Sequence, residues 1–139
     1  MIIQEIPITP QPFTKNIINV NLNGQQCQIT LDSINDFDYY SLTILDYYTV
    51  FNMNFNGNPI VRGAFCRSRS NLTPFAMPRN TTPQFQGAIF FYSPYTQENP
   101  KYPDFGTRYK LIFSDTFAFR FDDPNRDEFI LALNKLFKA

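Results

Sequence analysis

The chain has 139 residues, of which 43% are hydrophobic and 17% charged, a composition typical of a folded domain with a genuine core. Lysine plus arginine equals aspartate plus glutamate at 12 each, so no net field favours nucleic acid or an anionic membrane surface. Histidine is absent, which excludes Ser-His-Asp and Cys-His catalytic groups and the usual His/Cys zinc sites. We therefore expect a protein that is not an enzyme and carries no cofactor or metal.

The start of the chain and its cysteines indicate the compartment. The apolar runs are far shorter than a bilayer span, and the N-terminal sequence MIIQEIPITP has no basic region and no cleavable apolar segment. We expect a protein made in a cytosol that does not insert into membranes. Cys27 and Cys66 are then expected to be buried free thiols, with a disulfide as the alternative.

The first part of the chain predicts an edge strand and a hairpin. Residues 2–8 read as an edge strand because Pro7 cannot donate a main-chain hydrogen bond. Apolar residues alternate with polar ones over 18–22 and again over 27–31, as in strands with one buried face. Between them, Asn23-Gly24 is a candidate type I′ turn, since both residues tolerate positive φ.

Residues 35–72 carry most of the aromatic side chains of the first half, and the rest of the chain is organised around them. Alternation predicts a strand over Tyr39–Leu45 and a looser strand over Val50–Phe55. The dipeptide Asn56-Gly57 then predicts a second hairpin, whose return strand starts at residue 60.

A basic segment, residues 62–79, follows this hairpin and contains arginine at 62, 67, 69 and 79. Prolines interrupt it, so we expect a long, partly ordered excursion anchored to the core by Leu72, Phe75 and Met77. Arginine is a good phosphate ligand, which would suit nucleic acid. The balanced net charge favours a protein interface or plain surface instead.

The second half predicts three more strands. Residues 87–92 and 109–113 are short apolar runs, and residues 116–121 alternate with their three phenylalanines on one face. The prolines of residues 93–104 predict an irregular loop.

Helical spacing replaces this pattern at the end of the chain. Asp123 is a natural N-cap before Pro124. Phe129, Leu133 and Phe137 then lie on one face of an amphipathic helix of about four turns at most. This apolar face must pack either on the protein's own sheet or on a partner.

Together these elements predict an all-β fold, an antiparallel β-sandwich or partly closed β-barrel with a short C-terminal α-helix. The β domain would cover residues 1–121 and the helix residues 122–139. The candidate interface residues are arginines and large apolar side chains of the loops and helix: Arg62, Arg67, Arg69, Phe75, Arg79, Tyr95, Tyr102, Phe129, Leu133 and Phe137.

Other site chemistries have less support. Asp36 and Asp38 form a carboxylate pair of the kind that serves glycoside hydrolysis or Ca²⁺ binding, but no EF-hand-like loop surrounds them. Tyrosines such as Tyr95 and Tyr102 could stack on sugars, although the chain has no tryptophan. The 5 scattered glycines form no phosphate-binding loop.

Several motifs follow one another along residues 5–113. In chain order they begin with an Ile-Pro segment (Glu5–Ile8), a hairpin (Ile17–Leu31), an aromatic strand (Tyr39–Leu45) and a Gly-Asn-Pro-Ile turn with a following glycine (Gly57–Gly63). They continue with a leucine before a loop (Asn71–Leu72), a Gly-apolar strand (Gly87–Phe91) and a Tyr-Pro segment that leads into a last strand (Tyr102–Phe113). This ordered set resembles the baseplate plug proteins of contractile-tailed phages. Two segments depart from the family pattern: residues 46–56, as an extra strand or insertion, and residues 114–139.

The resemblance implies a structural component of a contractile-tail baseplate, a plug near the tail axis that contacts hub, tail-tube or spike proteins. It also implies a location in the tail baseplate of the virion, assembly in the host cytoplasm, and a homo-oligomer around the tail axis. The alternatives are another virion β-module, such as a connector or decoration protein, and a carbohydrate-binding or adhesin module.

Overall fold

The computed structural model describes residues 1–9, 15–38, 40–41, 43–73, 85–100 and 104–137, with only the main chain over 35–38 and 43–47. The elements, in chain order, are β1 (Ile3–Ile6), β2 (Lys15–Leu22), β3 (Gln25–Asp38), β4 (Thr43–Phe55), β5 (Asn58–Phe65), β6 (Ala88–Tyr92), β7 (Lys110–Ser114) and helix α1 (Arg126–Asn134). A 3₁₀ turn over Lys135–Phe137 ends the described chain.

The strands form two antiparallel sheets, with strand orders β2-β3-β4-β5 and β1-β7-β6. Leu31 and Phe51 of the larger sheet belong to the same buried cluster as Ile6 and Phe91 of the smaller one, so the main core lies between the sheets. Within the described strands no ladder joins the two sheets into a barrel. The predicted all-β fold is therefore confirmed, as a sandwich. β1 is an edge strand, as predicted.

Both predicted Asn-Gly hairpins are confirmed. Asn23 and Gly24 have φ angles of 51° and 84°, and Asn56 and Gly57 have φ angles of 50° and 80°. Positive φ at both central residues is the geometry of a type I′ turn, whose twist matches that of the flanking strands. The two turns set the register of β2 on β3 and of β5 on β4.

A second buried cluster lies on the outer face of the smaller sheet. Successive side chains of a strand point to opposite faces, so Ile89 and Phe91 of β6 enter the main core while Phe90 and Tyr92 point outward. There they pack with Phe129 of α1. The fold thus has three layers, the larger sheet, the smaller sheet and the helix, which explains why all five residues of β6 are buried.

Residues 68–72 run along the outer edge of β6. The N–H of Arg69 donates to the carbonyl of Phe91 at 2.8 Å, and the N–H of Leu72 donates to the carbonyl of Ile89 at 2.8 Å. Leu72 is buried in the main core, as predicted for an anchor. Phe75 and Met77, the other two predicted anchors, lie outside the described residues.

The strand boundaries in the middle of the chain differ from the prediction. The strand predicted over Tyr39–Leu45 is wrong in its limits, because β3 continues to Asp38 and β4 begins at Thr43. The chain reverses between those residues. Within the segment 46–56, which was expected to be an extra strand or insertion, residues 46–55 continue β4. They do not form an additional strand, since β4 stays paired with β3 along its length apart from one register shift.

The strand predicted over residues 116–121 is wrong. The described chain forms no strand there; Phe117 and Phe119 pack on Phe90 with ring centroids 5.4 and 5.3 Å apart. Ala118 is buried, and Phe121 is 95% exposed instead of sharing the buried face.

The helix also begins later than predicted. Its N-cap is Asn125, not Asp123, because the Asp123 carboxylate accepts the N–H of Asn125 at 2.8 Å in the turn that precedes the helix.

Candidate assembly surfaces

The described residues include two buried thiols and no cluster of metal-ligating side chains. In this part of the chain no three His, Cys, Asp or Glu side chains cluster as metal ligands would. Cys27 and Cys66 are buried and unpaired, as expected from the sequence, and burial raises the pKa of Cys27 to about 12 and raises that of Cys66 as well. Both thiols therefore stay protonated and unreactive near neutral pH. No described helix has the length and apolarity to cross a bilayer.

The first surface, which we call the β5 surface, consists of Arg62, Phe65 and Arg67. Arg62 and Arg67 are exposed, and 41% of Phe65 is exposed. The Arg67 guanidinium lies 5.6 Å from the centre of the Phe65 ring. On β4, the Tyr48 ring stacks with Phe65 at 5.8 Å. An aromatic ring held by a neighbour and flanked by arginine is the composition that protein interfaces favour.

The main chain of β5 is irregular. Pro59 removes one donor, the register with β4 shifts twice, and Gly63 has a φ of 68°. The N–H of Gly63 donates to the side-chain oxygen of Asn52 at 2.8 Å. Bulges and proline discourage the addition of another strand to an edge. The β5 surface therefore presents side chains to a partner more readily than an open ladder.

Arg69 lies over the second buried cluster, on the outer face of the smaller sheet. Its guanidinium carbon is 5.1 Å from the centre of the Tyr92 ring and 5.7 Å from that of Phe119, so it makes cation–π contacts with two rings. The residue is half-buried and has a φ of 59°, unusual for a residue other than glycine. Its buried Nε has no hydrogen-bond acceptor among the described residues. Arg69 thus covers the aromatic cluster more than it extends into solvent.

The charge of Arg69 also acts on Tyr92. Burial raises the pKa of Tyr92, and the nearby Arg69 guanidinium partly offsets this rise. The phenol therefore stays protonated near neutral pH and donates to the side-chain oxygen of Asn134, the last residue of α1. This bond fixes the end of the helix on β6.

The second surface, which we call the Tyr95 surface, consists of Tyr95, Phe137 and Lys110. Tyr95 is 65% exposed, and its ring meets the Phe137 ring edge-on at 6.0 Å. Lys110 Nζ lies 5.2 Å from the centre of the Phe137 ring and 2.8 Å from the carboxylate of Glu5. It also donates to the carbonyl of Leu136 at 2.9 Å, close to the negative end of the helix dipole.

A family model described as cyanophage baseplate Pam3 plug gp18 matches residues 3–116. The chain belongs to this baseplate plug family. The resemblance found in the sequence is thereby confirmed, and no curated protein matches the chain. The part that matches the plug family contains all seven described strands and the whole β5 surface, whereas α1 and Phe137 lie beyond it.

In this plug-family chain the sequence-predicted interface residues fall into separate groups. Arg62 and Arg67 lie on the β5 surface. Arg69, Tyr95 and Phe137 come together around Tyr92, since Phe137 also meets the Tyr92 ring at 5.8 Å.

The remaining predicted residues have no described exposed surface. Phe129 and Leu133 have no exposed surface and hold α1 on the smaller sheet. Phe75, Arg79 and Tyr102 lie outside the described residues.

Phe65 and Leu131 are exposed apolar residues that were not among the predicted interface residues of this plug-family chain. Phe65 lies between the arginines in sequence, and that position was the signal that could have identified it. Leu131 is 58% exposed on the side of α1 away from Phe129 and Leu133. Its position off the apolar stripe of the helix could have marked it, because a leucine there has no core to enter.

Proposed function

We propose that this protein is a non-enzymatic structural component of a phage contractile-tail baseplate, a plug near the tail axis that contacts hub, tail-tube or spike proteins. The observation that carries the proposal is the plug-family match over residues 3–116, which takes in both sheets. A plug acts through its shape and its contacts. The β5 surface and the Tyr95 surface are candidates for such contacts.

We assign the principal contact with the neighbouring baseplate proteins to the β5 surface. It lies inside the family match, and it combines Phe65, a fixed and partly exposed ring, with Arg62 and Arg67. Arginine and aromatic side chains supply most of the binding energy of typical interfaces. The Tyr95 surface is the second candidate, and because Phe137 lies beyond the family match, its contacts would be particular to this chain.

The first test is the copy number of this chain in purified particles, measured by quantitative mass spectrometry against a known tail component. A number comparable with that of the hub protein supports the axial plug. Copies in the hundreds would indicate a capsid or tail-wall module. Absence from the particle would overturn the virion role, and binding to a glycan array that is lost in Tyr95→Ala would then support the carbohydrate-binding alternative.

The second test reverses the charge of the β5 surface. We expect the double variant Arg62→Glu and Arg67→Glu to fold normally but to yield few infectious particles, because a partner that fits two arginines would meet two carboxylates. Arg120→Glu is the matched control, since the Arg120 side chain is 83% exposed outside the family match. Infectious titres that are equal in the double variant and the control would exclude the β5 surface as the contact. Arg69 is left unchanged, because it packs on two rings.

A further inference from the structure

Among the described residues, the smaller sheet has one edge to which no further strand is paired. Its order is β1-β7-β6, and the outer edge of β6 is covered by residues 68–72. β1 pairs with β7 on one side, and in the described part of the chain no strand pairs with its other side. The outward donors and acceptors of this four-residue strand are therefore available to another extended chain.

An apolar groove of about 400 Å³ lies beside this edge, between β1 and the flank of α1. Its lining residues are Met1, Ile3, Glu128, Leu131, Ala132, Lys135 and Leu136. Leu131 is 58% exposed and Met1 is 53% exposed, so apolar side chains project at the rim as well as lining the walls. Exposed apolar area of this kind favours burial against another surface.

The charges of the groove lie toward opposite ends of the helix. Lys110 Nζ contacts both the Glu5 carboxylate and the Leu136 carbonyl, so the end of β1 lies near the end of α1. Met1 lines the groove with Glu128 at the start of the helix. Glu128 and Lys135 are seven residues apart, about 10 Å along a helix, and neither forms an ion pair within the described chain.

We propose that the groove is occupied by a second copy of this chain, related by a two-fold axis next to β1. The two β1 strands pair antiparallel and extend the smaller sheets into one continuous six-stranded sheet, with both helices on the same face. Each Leu131 then enters the groove of the other copy. This surface is self-complementary, as a two-fold interface requires.

Charge complementarity is the reason for assigning a second copy. A two-fold axis reverses the direction of α1, so Glu128 comes to lie opposite Lys135 of the partner subunit, and the same pair forms again on the other side of the axis. A parallel arrangement would instead place like charges together. The pairing does not rest on the proposed baseplate role, because it follows from the edge of β1, the groove and the two charges that line it.

The test is the mass of the purified full chain, measured by sedimentation velocity over a range of concentrations. We expect a concentration-dependent species of twice the chain mass of 16.3 kDa. Glu128→Lys and Lys135→Glu should each raise the dissociation constant about tenfold, since the axis doubles each change. The double variant should restore association, because it exchanges the two charges. Arg120→Glu is the control that should leave association unchanged.

A covalent test uses Leu131→Cys under mild oxidation. Loss of two electrons and two protons to an added mild oxidant such as dissolved oxygen joins the two thiols as an intermolecular disulfide, and the buried native cysteines should not compete. We expect a cross-linked dimer from Leu131→Cys and none from Phe121→Cys. A chain that stays monomeric up to about 1 mM, or a dimer indifferent to both charge reversals, would overturn the proposal. Neither result would bear on copy number in the particle, which tests the baseplate role separately.

Discussion

Truncation of Phe129 is the sharpest test of how α1 is held. The side chain has no exposed surface, and its ring lies 5.0 Å from the centre of Phe119 and 5.9 Å from that of Phe90. Phe129→Ala would leave a cavity between the helix and the outer face of the smaller sheet. The control is Phe121→Ala, which makes the same chemical change at a ring that is 95% exposed.

The expected magnitudes differ widely. Replacing a fully buried phenylalanine by alanine costs about 3–5 kcal/mol of the free energy of unfolding, against a total of about 5–15 kcal/mol for a typical domain. The same replacement at an exposed position changes stability by about 0.5 kcal/mol or less. Phe129→Ala should therefore remove a large fraction of the stability, while Phe121→Ala should leave it nearly unchanged.

The assay is urea unfolding followed by circular dichroism, together with amide hydrogen exchange over residues 126–134. We expect the unfolding midpoint of Phe129→Ala to fall and exchange in the helix to accelerate. Equal midpoints for the two variants would refute the packing of α1 on its own sheet. That outcome would instead favour the alternative in which the apolar face of the helix, including Phe129, packs on a partner.

Two other predictions concern the smaller sheet. A Cβ added at Gly87 would clash with the Phe113 ring of β7, so Gly87→Ala should lower the unfolding free energy by about 2–5 kcal/mol. Gly57→Ala, which meets open space at a φ of 80°, should cost only about 1–2 kcal/mol of backbone strain; equal losses in urea unfolding would refute the steric clash. The main-chain N–H of Ile2 donates to the Asp115 carboxylate and lowers the pKa of that carboxyl from its ordinary value. Its stabilising effect is present above about pH 4 and lost as the pH falls through the lowered pKa, so the difference in unfolding midpoint between wild type and Asp115→Asn should shrink with acid.

The hairpins were predictable from the sequence because their signals are local. Asn23-Gly24 and Asn56-Gly57 supply positive φ without help from the rest of the fold, and the alternation in the strands on either side determines which face is buried. The apolar run of β6 was equally readable. Its burial on both faces could be inferred from an unbroken run of apolar and aromatic side chains.

The errors arose where tertiary contacts decide the structure. Alternation over residues 116–121 correctly indicated that Phe117 and Phe119 are on one side, but a strand also needs a neighbouring backbone, and this segment packs through rings instead. Asp123 has the chemistry of an N-cap, yet its carboxylate accepts the N–H of Asn125 in the turn that precedes the helix. Neither the ring packing nor the role of the Asp123 carboxylate can be recognised from the neighbouring residues in the sequence.

The candidate surfaces were predictable only in part. The exposure of Arg67 and Tyr95 follows from their polar surroundings in the sequence. The position of Arg69 over Tyr92 and Phe119 does not, because it depends on three distant segments meeting on one face of the smaller sheet. Arg69 and Arg67 look alike in the sequence, and the fold separates them into a covering residue and an exposed one.

The covered edge of β6 limits how the smaller sheet can grow. A sheet with two open edges can add copies without end and form a fibre, whereas residues 68–72 block strand addition at one edge of this sheet. Any growth through this sheet is then finished after a single joining event at β1. The chain thereby carries its own protection against open-ended polymerisation through this sheet.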